Sequence, residues 1–355
     1  MAATVVDAKR GSTVARTICS AAALVGAVAL ASLGGCAKED PGPPLTPIVI
    51  DQHNAVMVAS EALVTNANLG STGMVGSPAA AAKAAVAALP VMQRAAVSRL
   101  QPRLRGAAPA EPVVEACGIS GTVTTVAADS AAGATRVTFA DCVETAGISM
   151  NGTLAYTGLA LTGSDSSLAL TATVNSDVTI TQGELGYSEV GGYTLDFMVV
   201  SAPTTGLTSE VFDLHGDKLA ISVTMSGAPL EHLVLTGFDV HFEVDLSATP
   251  EHTTSTVSYT VASSRLDGEI TVATTTPLAQ LTEPATPRRF PYTGRLTISG
   301  ASGTRLQVTV LGDETYVPPA SQAQLELQLD MGFGTFGPPI WASWDMLSAT
   351  AMSTD

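Results

Sequence analysis

Histidine, cysteine and the aromatics are all scarce in this chain: 5 histidines, 4 cysteines and 5% Phe, Trp and Tyr among 355 residues. No glycine-rich phosphate loop follows a strand pattern, and no His-Glu-x-x-His pair is present. There is no Gly-x-Ser-x-Gly elbow; Gly118-Ile119-Ser120-Gly121 is one residue too short. The histidines (His53, His215, His232, His241, His252) never recur at helical metal spacing. These gaps argue against nucleotide-dependent, serine-hydrolase and zinc-protease chemistry, and the expectation is a protein without catalytic activity or cofactor. Positive charge is scarce too. With 16 Lys and Arg against 32 Asp and Glu the formal charge is −16, which repels phosphate backbones and excludes nucleic acid as a partner. Charged residues are only 14% and hydrophobic ones 46%, too apolar for general disorder. Much of that apolar share is alanine, so a core of Val, Leu and Ile is expected, as in a twisted sheet with small-residue helices against it.

The charge that does occur near the start is basic. Lys9, Arg10 and Arg16 precede an uncharged run from Thr17 to Leu33, too short for a comfortable membrane span and suited to the apolar region of an export signal. The run ends at Leu33-Gly34-Gly35-Cys36, which resembles the bacterial lipobox. That resemblance implies cleavage before Cys36, a diacylglyceryl thioether on its sulfur and acylation of its new amino group. The partner so implied is membrane lipid. Ala37, rather than Asp, follows the cysteine and is similar to the outer-membrane default of Gram-negative sorting. Residues 1–35 are thus expected to leave as a signal peptide, and the mature body, with 13 basic and 31 acidic residues, stands at −18. Cys19 leaves with the signal, and Cys117 and Cys142 remain as an even pair in an oxidising compartment, which reads as a disulfide.

Residues 36–50, polar and then rich in proline, read as a lipidated tether, and 51–106 as a helical segment. Val56, Ala59, Leu63 and Val64 recur at helical spacing over Asp51 to Leu69. Ser77-Pro78 opens an alanine-rich run to Leu100, interrupted by Pro90 and followed by Arg94, Arg99, Arg103 and Arg105, taken as a solvated face at a helix end. From about Gly118 the period changes to two. Val137/Phe139, Leu154/Tyr156, Leu219/Ile221/Val223, Val257/Tyr259/Val261, Leu306/Val308/Val310 and Leu325/Leu327/Leu329 alternate with polar residues, very often Thr. Asn151-Gly152, Gly191-Gly192, Gly216-Asp217 and Asp267-Gly268 are among the turn signals between them. The fold class expected is mainly β, an antiparallel meander that is barrel-like or a sandwich, with a short N-terminal α-helical segment. The β domain should occupy 112–347, with a loop or lobe boundary near 283–291 where three prolines gather.

Cys117 and Cys142 around a hairpin, Asn151-Gly152-Thr153-Leu154, and Gly294-Arg295-Leu296-Thr297-Ile298-Ser299-Gly300 together make the chain resemble uncharacterised proteobacterial lipoproteins. Their final strand often leads into an acidic, glycine-rich turn and a tryptophan-containing end. Here Asp330 leads into Met331-Gly332-Phe333-Gly334, and the further acidic residues that calcium would require are missing. The aromatics Phe333, Phe336, Trp341 and Trp344 gather at this end, as a plug for the sheet or as an exposed contact for carbohydrate, lipid or protein.

One constellation invites metal chemistry. In Phe238 to Leu246, alternation places Phe238, Val240, Phe242, Val244 and Leu246 on one face and Asp239, His241, Glu243 and Asp245 on the other. Asp239, His241 and Glu243 are the candidate ligands, with Glu231 and His232 the nearest groups that a hairpin might add. An acidic solvent face that discourages edge pairing is the reading adopted, with no metal. The functional expectation is an envelope lipoprotein of the outer membrane with a structural or binding role. A carrier holding a hydrophobic ligand in a curved sheet and a secreted hydrolase are the alternatives.

Overall fold

The computed structural model describes residues 42–70, 93, 96–97, 99–100, 111–128, 133–144, 147–164, 166–202, 206–249, 251–282, 291–312 and 322–352. Residues 1–35, read above as a signal peptide, Cys36, the run from Ser77 to Pro90, Arg94, Arg103, Arg105 and most of the proline-rich stretch after Glu283 fall outside these residues.

Two-residue alternation has become one antiparallel sheet of 14 strands in sequence order, β1 to β14. The strands are β1 (Val113–Ala116), β2 (Ser120–Val126), β3 (Thr135–Val143), β4 (Ile148–Ser164), β5 (Ser167–Gln182), β6 (Leu185–Ala202), β7 (Gly206–Met225), β8 (Ala228–Asp245), β9 (Glu251–Ser263), β10 (Gly268–Thr282), β11 (Thr293–Ser299), β12 (Arg305–Val310), β13 (Ala323–Asp330) and β14 (Ile340–Ser343). β7, with 20 residues, extends about 65 Å at roughly 3.3 Å per residue. The two edge strands have four residues each, which leaves little open edge for another chain to pair with. β10 and β11 pair across the proline-rich stretch, so it is a connection within one sheet and not a boundary between lobes.

Several glycine pairs expected at turns lie inside strands. Asn151-Gly152 is in β4, Gly191-Gly192 in β6 and Gly216-Asp217 in β7. Register shifts at Gly192/Thr194 and Thr236/Asp239 mark bulges there instead. Glycine serves because backbones and rings crowd these points: a Cβ on Gly216 would collide with the Phe238 ring across the β7–β8 pair. Such bulges sharpen the local twist and bend of the sheet.

Helix α1 (Ala55–Gly70) lies against the concave side of the sheet. Asp51 starts it, its Oδ1 accepting the Asn54 amide at 3.1 Å while Ala55 N bonds to its carbonyl. Ala55, Val58, Ala59, Ala62 and Leu63 are buried, and so are Ser60, Glu61, Thr65 and Asn66 on the remaining faces. α1 touches β8, β12, β13 and the C-terminal helix α2 (Trp344–Met352), so strands far apart in the sheet curl round one helix. Ala96, Val97 and Leu100, themselves helical, join the same core.

The chain ahead of α1 is docked as well. Pro43 is buried, Ile48 N donates to the Glu269 carbonyl at 3.2 Å, and Ala301 N donates to the Ile48 carbonyl at 2.6 Å. From Gly42 onward, then, the stretch read as a tether forms a strap across the sheet end that holds the β9–β10 and β11–β12 turns. Gly268 and Gly300 make room for it, since a Cβ at either would overlap Ile48.

Candidate functional site

On β8 the expected alternation holds. Phe238, Val240, Phe242 and Val244 are buried, Asp239 and Glu243 are exposed, and His241 and Asp245 are half-buried on the outer face. The neighbours differ from expectation. Glu231 and His232 belong to β8 itself, and Glu231 turns inward, so no hairpin brings them to the stripe. The partners come from β7, whose register sets Asp213 opposite His241 and His215 opposite Asp239. His241 Nδ1 donates to Asp213 Oδ1 at 2.6 Å, and His215 Nδ1 stands 3.3 Å from Asp239 Oδ1. The row continues through Asp196 to Thr171, whose hydroxyl donates to Asp196 Oδ1 at 2.5 Å. Asp213 and His215 could have been foreseen only from the β7–β8 register. Asp245 is spent on the β8–β9 turn, where the Ser247 hydroxyl and amide hold its carboxyl below the usual range.

Beside the dyads, the glycine bulges open a shallow groove of about 650 Å³ flanked by Thr173, Thr194, His215, Asp217 and Asp239. Among the described residues neither dyad imidazole is hydrogen-bonded to a hydroxyl or thiol. The one group of three potential ligand atoms within 4.8 Å among those residues is Cys117, Cys142 and Glu144. Both of those sulfurs are committed to each other: Cys117 and Cys142 form the expected disulfide, Cα atoms 5.6 Å apart, joining the β1–β2 turn to β3. Glu144 instead accepts Arg99 Nη2 at 2.6 Å, and Glu115 lies 3.3 Å from Arg99 Nε. Arg99 is therefore an internal tie rather than part of a solvated basic face.

The concave side holds two polar clusters that the sequence reading missed. In the first, Tyr156 donates to Gln93 Oε1 at 2.9 Å, and Gln93 Nε2 donates to the Tyr193 hydroxyl at 2.6 Å. Tyr187 donates to Glu189 Oε2 at 3.2 Å, and that carboxyl is fully buried. Burial raises the Glu189 pKa, against the opposing effect of the Ser176, Tyr187 and Tyr193 hydroxyls. In the second, Arg265 Nη1 lies 3.1 Å from Glu61 on α1 and 3.7 Å from Glu231 on β8, and its Nη2 donates to the Thr350 carbonyl of α2 at 2.8 Å. Ser263 donates to Glu231 at 3.2 Å. Burial and then the Glu231 carboxylate push Glu61 well above the ordinary range, with Arg265 pulling the other way. Both clusters fasten helices to the sheet. Nothing local marks these residues, since a lone Glu in an alternating strand reads as solvent-facing.

The aromatic end is divided. Trp344 is buried, and Phe336 lies half-buried under the Arg305 guanidinium at 5.3 Å, whereas Trp341 is 53% and Phe333 84% exposed. Asp330 orders the turn that carries Phe333: Oδ1 accepts the amides of Gly332, Phe333 and Gly334 at 2.9–3.0 Å, and Oδ2 accepts Arg305 Nη2 at 2.6 Å. Arg305 first, then those amides, hold the carboxyl below its usual range. The acidic residue at this turn is thus engaged by the protein's own donors. No protein-family model matches this chain, and a search of curated proteins finds no match to it.

Proposed function

We propose that this protein is a lipid-anchored lipoprotein of the bacterial outer membrane, with a structural or binding role and no catalysis. One observation carries the role: the concave face of the sheet is occupied by the chain's own helices. Ala62 and Gln93 make buried hydrogen bonds to Tyr259 and to Tyr156 and Tyr193, and Glu61 meets Arg265. A carrier would keep that face for its cargo. The anchor rests on the lipobox-like Leu33-Gly34-Gly35-Cys36 after an apolar run.

Two measurements test this. Mass spectrometry of the mature N-terminus should find an acylated Cys36, and Cys36→Ser should accumulate as precursor. Organic extraction of purified protein should release no stoichiometric lipid beyond the covalent chains. An aqueous partition of wild-type protein in Triton X-114 overturns the anchor, and a tightly held apolar ligand replaces the structural role with the carrier.

A further inference from the structure

The sheet has two ends, and one of them gathers exposed apolar side chains. The strap, the β11–β12 turn and the β13–β14 turn meet there. Ala301 N bonds to the Ile48 carbonyl, and Gly332 packs so closely on Ser302 that a Cβ would come within 2.6 Å of its carbonyl oxygen. On this continuous surface Leu45 is 62%, Val49 47%, Met331 45% and Phe333 84% exposed. Ile119, in the β1–β2 turn at the same end, and Trp341, where β14 begins, are exposed too. Soluble surfaces rarely place a phenylalanine this bare at a loop tip beside other large apolar groups. Nor is the loop loose: Asp330 holds three consecutive amides of it, so little ordering is left to be lost when Phe333 is buried.

The N-terminal chain says what lies opposite. It reaches the body at this end, and the six residues from Ala37 to Gly42 span at most about 20 Å. With Cys36 in the bilayer, the strap end sits at the membrane surface. We infer that this end docks on the bilayer, with Phe333, Met331, Val49 and Leu45 entering the interface and the far ends of the long strands β4–β8 directed away. The inference rests on the lipid anchor proposed above and adds an orientation to it. Attraction to anionic head groups is not the drive, because among the described residues Arg305 at this end is paired with Asp330 and the body is acidic. Apolar insertion supplementing the acyl chains is.

The test uses the full lipidated chain reconstituted in vesicles of phosphatidylethanolamine and phosphatidylcholine, the latter brominated near the head of its acyl chains. Flotation reports the anchor, and quenching of tryptophan emission by the bromines reports contact. F333W should lose about half its added emission, as expected for a side chain seated some 5–10 Å into the interface. M198W, on the outer face of β6 well away from the strap, should be unaffected. The native Trp341 should also be quenched, and less so in M331S/F333S. Floating protein without F333W quenching overturns the docking alone. Failure to float overturns the anchor and the docking with it. An F333W blue shift that depends on protein concentration, without quenching, assigns the surface to a second copy and likewise overturns the inference.

Discussion

Replacing Arg265 with methionine probes the tie between helices and sheet most directly. The guanidinium is 11% exposed and its carboxylate partners Glu61 and Glu231 are 0% and 7% exposed, so solvent screens these contacts little. Methionine keeps most of the aliphatic volume and leaves two buried carboxyls and the Thr350 carbonyl without their cation. Removing one partner of a buried ion pair costs about 3–5 kcal/mol, which at neutral pH lowers the urea midpoint by roughly 1–2 M. The pH dependence has a definite sign. The folded-state pKa of Glu61 is raised, so its stabilising contribution is complete below the unfolded value and fades as pH rises through the folded one. Arg265 opposes that rise, so its removal raises the folded pKa further and widens the window. The R265M deficit should therefore be larger at pH 7.5 than at pH 5. Urea unfolding at the two pH values, followed by circular dichroism, measures it, and E61Q/R265M should recover part of the loss at pH 7.5. A deficit below about 1 kcal/mol, or one equal at both pH values, refutes the account of Arg265 as a shared buried counter-ion.

Glu189→Gln keeps the shape of a buried carboxyl whose pKa burial raises, so the variant should gain stability relative to wild type as pH climbs from 5 to 8; a gain at pH 5 that vanishes at pH 8 contradicts this. Reducing the Cys117–Cys142 bridge, which spans 25 residues, should cost about 3.5 kcal/mol by loop entropy, read as a drop in melting temperature with dithiothreitol. Gly300→Ala should lose about 1–3 kcal/mol and expose the strap to proteolysis around Ile48, because the new methyl meets the Ile48 carbonyl and Ile50. Resistance equal to wild type would show that the strap does not hold this end.

The β architecture, the helix beginning just after Asp51, the Cys117–Cys142 pairing and the two faces of β8 are legible in the residues alone. Each is written in residues close together or in a cysteine count. Which face of a strand is apolar is a matter of every second residue, and Phe238 to Val244 states it unambiguously. Glycine pairs were misread because a local signal cannot tell a turn from a bulge; Gly191-Gly192 continues β6 because β5 and β7 pair on either side of it. The tertiary structure alone decided what depends on distant partners. Glu61 and Arg265 lie 204 residues apart, and Gln93 and Tyr193 lie 100 apart, so neither burial nor partner leaves a local trace. The same holds for the aromatic end, where composition could not separate the buried Trp344 from the bare Phe333. Only the fold brings α1 and α2 together, and only the Asp330 turn turns Phe333 out to solvent.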